Sequence, residues 1–210
     1  MPDDRFEAWV AEKKAAGQEL TASGLQLLAW RERRKDAVVP LPEGLYRIFY
    51  ADPPWQYAQM IEKYGPAERH YPTMTVMEIC ALGGQIKAVT APDAVLFLWT
   101  TAPKLQDSFT VMEAWGFLYT GAMFIWDKVA HNYGHYNSVR HELLLIAKKG
   151  SCLPDTPQLF DSVQSIPREE HSEKPEEFRR IIDVLYPQGN RIELFARHHA
   201  DNWTAWGNEI

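Results

Sequence analysis

The sequence predicts an α/β fold of the doubly wound kind, in which helices flank a mainly parallel sheet. Short apolar or β-branched runs alternate along the chain with segments of helical periodicity, an order typical of strands joined by crossover helices. The chain has 210 residues, of which 46% are hydrophobic. That is enough to bury the core of one such domain and to leave a small appendage. No apolar run approaches the roughly 18 residues that a membrane-spanning helix needs.

The N-terminal segment is predicted to be a helical appendage. Apolar residues within 5–35 recur at helical spacing in two stretches, and a run of Pro and Gly residues at 39–44 then breaks the pattern. We therefore predict a helical segment over 1–38 and a main domain over 44–210.

Five buried strands are predicted in the main domain, at 46–51, 94–99, 123–126, 142–147 and 191–195. Helices are predicted between them: the capping box Thr75-x-x-Glu78 starts one, an apolar stripe over 105–112 marks another, and Pro175 starts a third. Folds of this kind bind ligands at the carboxyl ends of their parallel strands, so candidate site residues are sought there.

Several classes of protein are excluded by what the sequence lacks. It contains neither a GxGxxG fingerprint nor a P-loop, so nicotinamide and ATP sites have no support. Its first residues are charged, unlike a signal peptide, and Cys80 and Cys152 form no CxxC pair. We therefore expect a cytoplasmic protein with free thiols and no membrane association. His131 and His135 have no cysteine or acidic partner at ligand spacing, so no metal is expected.

The motif Asp52-Pro53-Pro54-Trp55 directly follows the first predicted strand. Its residue types fit methylation of an exocyclic amine such as N6 of adenine. The Asp52 carboxylate can accept one N–H, and a backbone carbonyl fixed by the two prolines can accept the other, so both stabilise the positive charge that develops on nitrogen. The ring of Trp55 offers a face for stacking a base. The alternative is a tight turn at Asp-Pro-Pro with Trp55 in the core.

Further motifs follow in order: His70-Tyr71-Pro72-Thr73-Met74, Leu96-Phe97-Leu98-Trp99, Trp115-Gly116-Phe117, Ile125-Trp126-Asp127-Lys128, Arg140-His141-Glu142, Ser172-Glu173-Lys174-Pro175, Ile192-Glu193-Leu194-Phe195-Ala196-Arg197 and Trp203-x-x-Trp206-Gly207-Asn208. With them, residues 46–209 resemble the adenine-N6 methyltransferases related to the catalytic subunit of the eukaryotic mRNA adenine methylase, whose many bacterial and phage members act on DNA. The resemblance implies a permuted, Rossmann-like class I methyltransferase fold and S-adenosylmethionine as the methyl donor.

The resemblance also implies which residues bind the donor. Lys174 pairs with the carboxylate of the donor's methionine part, and Asp52 meets its amino group as well as the target amine. The remaining donor-binding candidates lie near the C-terminus, namely Glu193, Arg197, His199, Asn208 and Glu209. Glu193 either orients the loop to Arg197 or is a buried ion-pair partner of Arg197 or Arg191. The chain departs from the family at Ala200 and Glu209, where relatives often have Asn and Gln.

Two loops rich in Tyr and His, 56–73 and 128–140, flank the predicted site. Loops of this composition suit the capture of a base that is flipped out of a duplex. The alternative is that these aromatic residues are simply exposed on mobile loops and have no binding role. The predicted contacts to the target base or strand are Tyr57, His70, Tyr71, Trp99, His135 and Arg140.

Taken together, the sequence predicts an S-adenosylmethionine-dependent methyltransferase acting on adenine N6 in DNA. No RNA-binding module is recognisable, which favours DNA over RNA. N4 of cytosine is the other amine considered, but enzymes acting on it usually carry Ser in place of Asp52. A non-catalytic partner subunit is the remaining alternative, and such members of the family have typically lost the acidic motif. For its assembly, the sequence leaves two alternatives open: a homodimer, and a complex with a separate partner subunit.

The charge distribution bears on how nucleic acid would be held. Residues 1–50 carry eight acidic and eight basic side chains, so the net charge of −6 belongs to residues 51–210. This argues against tight, non-specific binding of phosphates by the main domain. The densest basic run, residues 31–35, is predicted to supply phosphate contacts, or else to be a solvated helix face.

Overall fold

The computed structural model describes residues 40–57, 73–132, 136–168, 174–207 and 210. The chain divides into two compact units. Leu41–Gln56 with Thr73–Ile210 form one of them, and Met1–Pro40 with Tyr57–Pro72 form the other. Pro40 and Tyr57 are the described residues of the second unit, so the account below concerns the first. The predicted helical segment 1–38 lies outside the described residues, and the domain boundary at 39–44 stays a prediction.

The described residues form one seven-stranded sheet. Its strands are β1 (Tyr46–Ala51), β2 (Thr90–Thr100), β3 (Leu118–Asn132), β4 (Val139–Lys149), β5 (Val163–Ser165), β6 (Arg191–Leu194) and β7 (Thr204–Trp206). They are arranged in the order β5-β3-β4-β2-β1-β6-β7.

Six of these seven strands point the same way. β1 is parallel to both β2 and β6, β6 to β7, and β3 to β5, whereas β4 is antiparallel to its neighbours β2 and β3. The prediction of a mainly parallel α/β sheet is therefore confirmed. The reversed strand has a consequence for the site: the first residues of β4 lie at the same edge as the carboxyl ends of β1, β2 and β6.

Four α-helices accompany the sheet in the described part of the chain: α1 (Val76–Ala81), α2 (Gly83–Val89), α3 (Leu105–Trp115) and α4 (Glu176–Leu185). A short 3-10 turn, Ala102–Lys104, leads into α3. The predicted capping box at the start of α1 is present, because the Thr75 hydroxyl accepts from the Glu78 amide while the Glu78 carboxylate accepts from the Thr75 amide.

The core lies on both faces of the sheet. Ile48 and Tyr50 of β1 belong to a buried cluster with Phe178 of α4. Phe49 lies between them in sequence and so points to the opposite face, where its ring meets Phe117 edge-on, 5.5 Å between centroids. A central parallel strand covered on both faces reads as a continuous apolar run, which is why β1 is recognisable in the sequence.

The differences from the predicted elements have physical causes. β3 and β4 extend well beyond their apolar runs, because the two strands pair from Leu118↔Lys148 to Asn132↔Val139 and ladder hydrogen bonds need no apolar side chain. The three-residue edge strands β5 and β7 are too short to show a period. α2 begins with Gly-Gly, which reads as a break in sequence. A Cβ on Gly83 would lie 2.3 Å from the Ala114 carbonyl oxygen, so glycine permits close packing there.

The two cysteines are free, as predicted. Among the described residues, no helix is long and apolar enough to cross a membrane. The same residues contain no cluster of His, Cys, Asp and Glu side chains suited to a metal ion.

Candidate active site

The Asp52–Trp55 motif leaves the carboxyl end of β1 and is held by the segment before α1. The Trp55 amide donates to the Pro53 carbonyl at 2.8 Å, and the Met74 amide donates to the Pro54 carbonyl at 2.7 Å. Each of these carbonyl oxygens keeps a second lone pair, so either can accept a further N–H. The carbonyl groups of Pro53 and Pro54 are therefore held in place at this turn, and acceptance of the target amine by one of them stays a prediction.

Trp55 is buried and its indole N–H donates to the Trp99 carbonyl at 3.1 Å, near the end of β2. This bond ties the motif to the neighbouring strand. It agrees in part with the alternative reading of Trp55 as a core residue, and stacking of a base on its ring stays a prediction.

The side chain of Lys174 contacts the motif directly. Lys174 immediately precedes Pro175, the N-cap of α4, and its Nζ donates to Asp52 Oδ2 at 2.7 Å. The same ammonium lies 5.5 Å from the centroid of the Trp99 ring. Two residues 122 positions apart in sequence, both predicted for the site, are thus brought into direct contact.

Two further charged residues extend this contact: Glu142 lies next to Lys174, and Lys128 lies next to Glu142. The sequence interpretation gave neither of them a role. Glu142, near the start of β4, places Oε2 at 3.3 Å from Lys174 Nζ. Its Oε1 accepts from the ammonium of Lys128 on β3. Both residues lie within the segments on which the family resemblance rests, 125–128 and 140–142, so position within a motif was the available signal.

The pKa shifts of Glu142 and Lys174 both favour the charged form of the side chain. Burial alone would raise the pKa of Glu142, but the ammonium groups of Lys174 and Lys128 outweigh it and hold that pKa below its usual value. Burial alone would lower the pKa of Lys174, yet the carboxylates of Asp52 and Glu142 raise it above the ordinary lysine value. At neutral pH the carboxylate of Glu142 and the ammonium of Lys174 are therefore ionised.

Glu193 on β6 is an ion-pair partner, but not of the arginines that the sequence suggested. Its two oxygens accept from Nε and Nη2 of Arg179 on α4, at 2.8 and 2.9 Å. Arg191 instead contacts Asp183, at 2.8 Å. The Arg179–Glu193 pair is buried and joins the helix that follows Lys174 to the strand that leads to Arg197.

The donor-binding candidates after β6 follow a sharp turn. Phe195 has φ 63° and so ends the strand one residue earlier than predicted. Arg197 is half-buried and His199 is exposed. Since β6 lies beside β1, with Leu194 opposite Ala51, this turn leaves the sheet next to Asp52.

Gly207 fixes the path of the chain past this turn. A Cβ there would lie 2.2 Å from the Ala196 carbonyl oxygen and 2.8 Å from the Ala196 amide nitrogen. We therefore expect Gly207→Ala to destabilise the protein by about 1–3 kcal/mol, as overpacking does, and to weaken donor binding by displacing Arg197. Urea unfolding and calorimetric titration with S-adenosylmethionine measure the two effects. Gly84→Ala, where nothing lies within 4 Å of the added methyl, is the matched control. Unchanged stability in Gly207→Ala would contradict the close approach.

Two of the predicted substrate contacts, Arg140 and Trp99, differ in their exposure to solvent. Arg140 is exposed but engaged: its Nε donates to Asp127 Oδ1 at 2.7 Å, and its Nη2 donates to Oδ2. Hydrogen bonds from Arg140 hold the pKa of Asp127 well below its usual range. Trp99 is 1% exposed and packs on Trp126 and Phe178, so its burial does not support direct contact with a base. Its ring instead underlies Lys174.

Of the remaining candidates, Tyr57 alone lies within the described residues. Tyr57 is half-buried and is the last described residue before the gap at 58–72. His70, Tyr71, His135, Asn208 and Glu209 lie outside the described residues, and their roles stay predictions.

Comparison with known proteins gives a consistent result. Residues 46–209 match the family model described as MT-A70. A relative from Mycoplasma sp, named Type II methyltransferase M.MunI, is 36% identical over an alignment of 196 residues that covers 83% of this chain and 82% of the relative.

Larger relatives are matched over a smaller share of their length. The N(6)-adenosine-methyltransferase MT-A70-like protein of Drosophila melanogaster is 29% identical over 177 residues, which covers 80% of this chain and 27% of the relative. The human N(6)-adenosine-methyltransferase catalytic subunit METTL3 is 28% identical over 177 residues, covering 80% of this chain and 28% of the relative. The chain therefore spans little more than a quarter of these two proteins.

Proposed function

This chain belongs to the MT-A70 family of methyltransferases, and we propose that it methylates the N6 amine of adenine in DNA with S-adenosylmethionine as the donor. One observation carries this proposal: the Asp52 carboxylate stands at the carboxyl end of β1, held by Lys174 and beside the turn that carries Arg197. A carboxylate and an ammonium thus meet at the sheet edge where such folds bind ligands, and the turn that leads to Arg197 leaves the sheet beside them.

The residues at this edge fit the groups of the donor. Its methionine part presents an ammonium and a carboxylate, for which Asp52 and Lys174 have the complementary charges. From the family resemblance we propose that Arg197 and His199, which follow β6, bind the ribose together with Asn208 and Glu209. S-adenosylmethionine supplies a methyl group on a sulfonium, from which a nucleophile takes it by direct displacement.

The chain's own part in the reaction is orientation and charge stabilisation. The adenine amine is a poor nucleophile because its lone pair is delocalised into the ring. Asp52 accepts one N–H and the carbonyl of Pro53 or Pro54 accepts the other, which turns the lone pair out of the ring plane and stabilises the positive charge that develops on nitrogen. Lys174 keeps the Asp52 carboxylate in place while this happens.

DNA is proposed as the substrate because M.MunI is matched along most of its length and is named as a type II methyltransferase. The relatives named as adenosine methyltransferases are matched over little more than a quarter of theirs. RNA is the second candidate, since those names concern adenosine.

Methyl incorporation from labelled donor decides between these substrates. The protein is incubated with duplex DNA, single-stranded DNA and RNA, and the digested nucleosides are analysed by mass spectrometry, with Asp52→Ala as the control. N6-methyldeoxyadenosine is expected. N6-methyladenosine in RNA, or N4-methyldeoxycytidine, would replace the proposed substrate. Absence of any methyl group, also with candidate partners added, would favour a non-catalytic subunit.

The basic run at residues 31–35 is expected to supply phosphate contacts that the acidic main domain lacks. Replacing Arg31, Arg33, Arg34 and Lys35 by Ala should weaken DNA binding and flatten its salt dependence by about one unit of log–log slope per lost contact, with donor affinity unchanged. Fluorescence anisotropy at several salt concentrations measures both quantities. Lys13→Ala/Lys14→Ala is the control. DNA affinity and salt slope that both survive the fourfold replacement would assign binding to the loops around the site.

A further inference from the structure

Asp52, Lys174, Glu142 and Lys128 form a row of alternating charges, called the charge row below. Lys174 Nζ lies 2.7 Å from Asp52 and 3.3 Å from Glu142. Lys128 closes the row by donating to the other oxygen of Glu142. The four side chains come from the end of β1, the residue before Pro175, β4 and β3. The charge row therefore joins separate parts of the chain at one sheet edge.

The charge row is largely withdrawn from solvent. The side chains of Lys174, Lys128 and Glu142 are 10%, 12% and 15% exposed, and that of Asp52 is 23% exposed. Burying charges costs free energy of solvation that their mutual attraction repays only in part, so such an arrangement is weak support for stability as its purpose. What a fixed set of charges provides is a defined position for each group.

Each oxygen of Glu142 has its own lysine, and this fixes the carboxylate from two sides. Lys128 is itself held, since its ammonium lies 4.9 Å from the centroid of the Trp126 ring. Glu142 in turn draws the Lys174 ammonium to a point between two carboxylates, above the ring of Trp99. The Lys174 contact uses Oδ2 of Asp52.

We propose, on the premise of the methyl transfer proposed above, that Glu142 and Lys128 are positioning residues for the reaction. They hold the Lys174 ammonium on Asp52 Oδ2, so that the Asp52 carboxylate keeps one orientation towards the target amine. Neither residue touches the amine. Without Glu142 the ammonium has one carboxylate instead of two, and Asp52 and Lys174 are free to rotate together.

Glu142→Gln tests this role, because it removes the charge and preserves the volume. We expect kcat to fall by at least about tenfold. The donor dissociation constant should rise by a smaller factor, because Asp52 and Lys174 also pair with the methionine part of the donor. Lys128→Met is expected to lower kcat by a smaller factor, and Lys128→Arg to restore most of it. Thermal unfolding of each variant verifies that it is folded.

A merely structural role for Glu142 would leave the pH profile unchanged. Among the residues that the structure describes, the charged groups that face Lys174 are Asp52 and Glu142, with Lys128 on the far side of Glu142. The two carboxylates raise the pKa of Lys174. Removing one of them lowers that pKa. The alkaline limb of the kcat profile should therefore move to lower pH in Glu142→Gln.

Asp155→Asn is the matched control, because Asp155 pairs with Arg47 near the opposite end of β1. It should keep wild-type kcat and pH profile. Glu142→Gln with kcat within twofold of wild type, in a preparation where Asp52→Ala is inactive, overturns the positioning role and leaves the proposed function standing.

If the wild-type protein transfers no methyl group at all, the proposed function is wrong. The electrostatic coupling between Glu142 and Lys174 can then still be tested by a measurement that needs no activity. The pKa of Lys174 can be followed by NMR of its labelled ε-carbon, assigned by the signal lost in Lys174→Met. A lower pKa in Glu142→Gln than in wild type supports the coupling, whereas equal values overturn it.

Discussion

Asp52→Asn is expected to reduce the rate of methyl transfer by more than about tenfold, at least 1.4 kcal/mol of transition-state stabilisation. The amide has the shape of the carboxylate but lacks the negative charge that stabilises the cation developing on the amine. It also replaces the acceptor of the 2.7 Å bond from Lys174 by a neutral group. Asp52→Ala should abolish transfer. Single-turnover rates with labelled donor, at saturating nucleic acid, measure the effect on chemistry.

The fold should survive both replacements, because Asp52 follows β1 rather than lying within it and is not fully buried. Lys174 keeps Glu142 as a partner, so no ammonium is left without a carboxylate. Unfolding by urea should therefore change little. An Asp52→Asn protein that retains more than about a tenth of the wild-type rate would remove Asp52 from the catalytic role.

The position of Asp52 could be predicted from the sequence because it depends on a strong local signal. β1 is buried along almost its whole length, so its apolar run is continuous, and the polar motif begins where the run ends. The site of a mainly parallel sheet lies at that end of its strands. Lys174 could be assigned to the same place only through the family resemblance, since 122 positions separate it from Asp52.

Glu142 and Lys128 could not be assigned in this way, because their role depends on the direction of β4. The apolar run at 142–147 predicts a strand but carries no information about its direction. Had β4 been parallel to the others, its first residues would lie at the edge opposite the site. Antiparallel pairing with β2 and β3 places Glu142 beside Lys174.

The partner of Glu193 was mispredicted for a similar reason. Arg191 lies on the same face of β6 as Glu193, two positions before it, but its guanidinium pairs with Asp183 of α4 instead. Arg197 lies beyond the end of β6, after the turn at Phe195. Arg179 is 14 positions away and reaches Glu193 from α4, which covers that face of the sheet. Local sequence cannot supply a contact that packing of a helix on a strand creates.

The Arg179–Glu193 pair is expected to have the largest effect on stability. The side chains of Arg179 and Glu193 are 4% and 10% exposed. Arg179→Met therefore leaves a buried carboxylate without its bidentate partner, and we expect the free energy of unfolding to fall by about 3–5 kcal/mol. Urea denaturation followed by circular dichroism measures it. Asp155→Asn, which breaks the more exposed pair with Arg47, should cost about 1 kcal/mol or less.

The double variant Arg179→Met/Glu193→Leu separates the loss of the pair from the burial of a lone charge. With both charges replaced by apolar side chains, most of the lost stability should return, because buried ion pairs and packed apolar groups of similar volume are often close in free energy. Wild type, Arg179→Met, Glu193→Leu and the double variant form a double-mutant cycle. Its interaction energy measures the coupling between the two side chains. If Arg179→Met costs no more than Asp155→Asn, or if the double variant is less stable than wild type by the sum of the losses of the two single variants, the two side chains are not energetically coupled. The link from α4 to β6 must then depend on apolar packing alone.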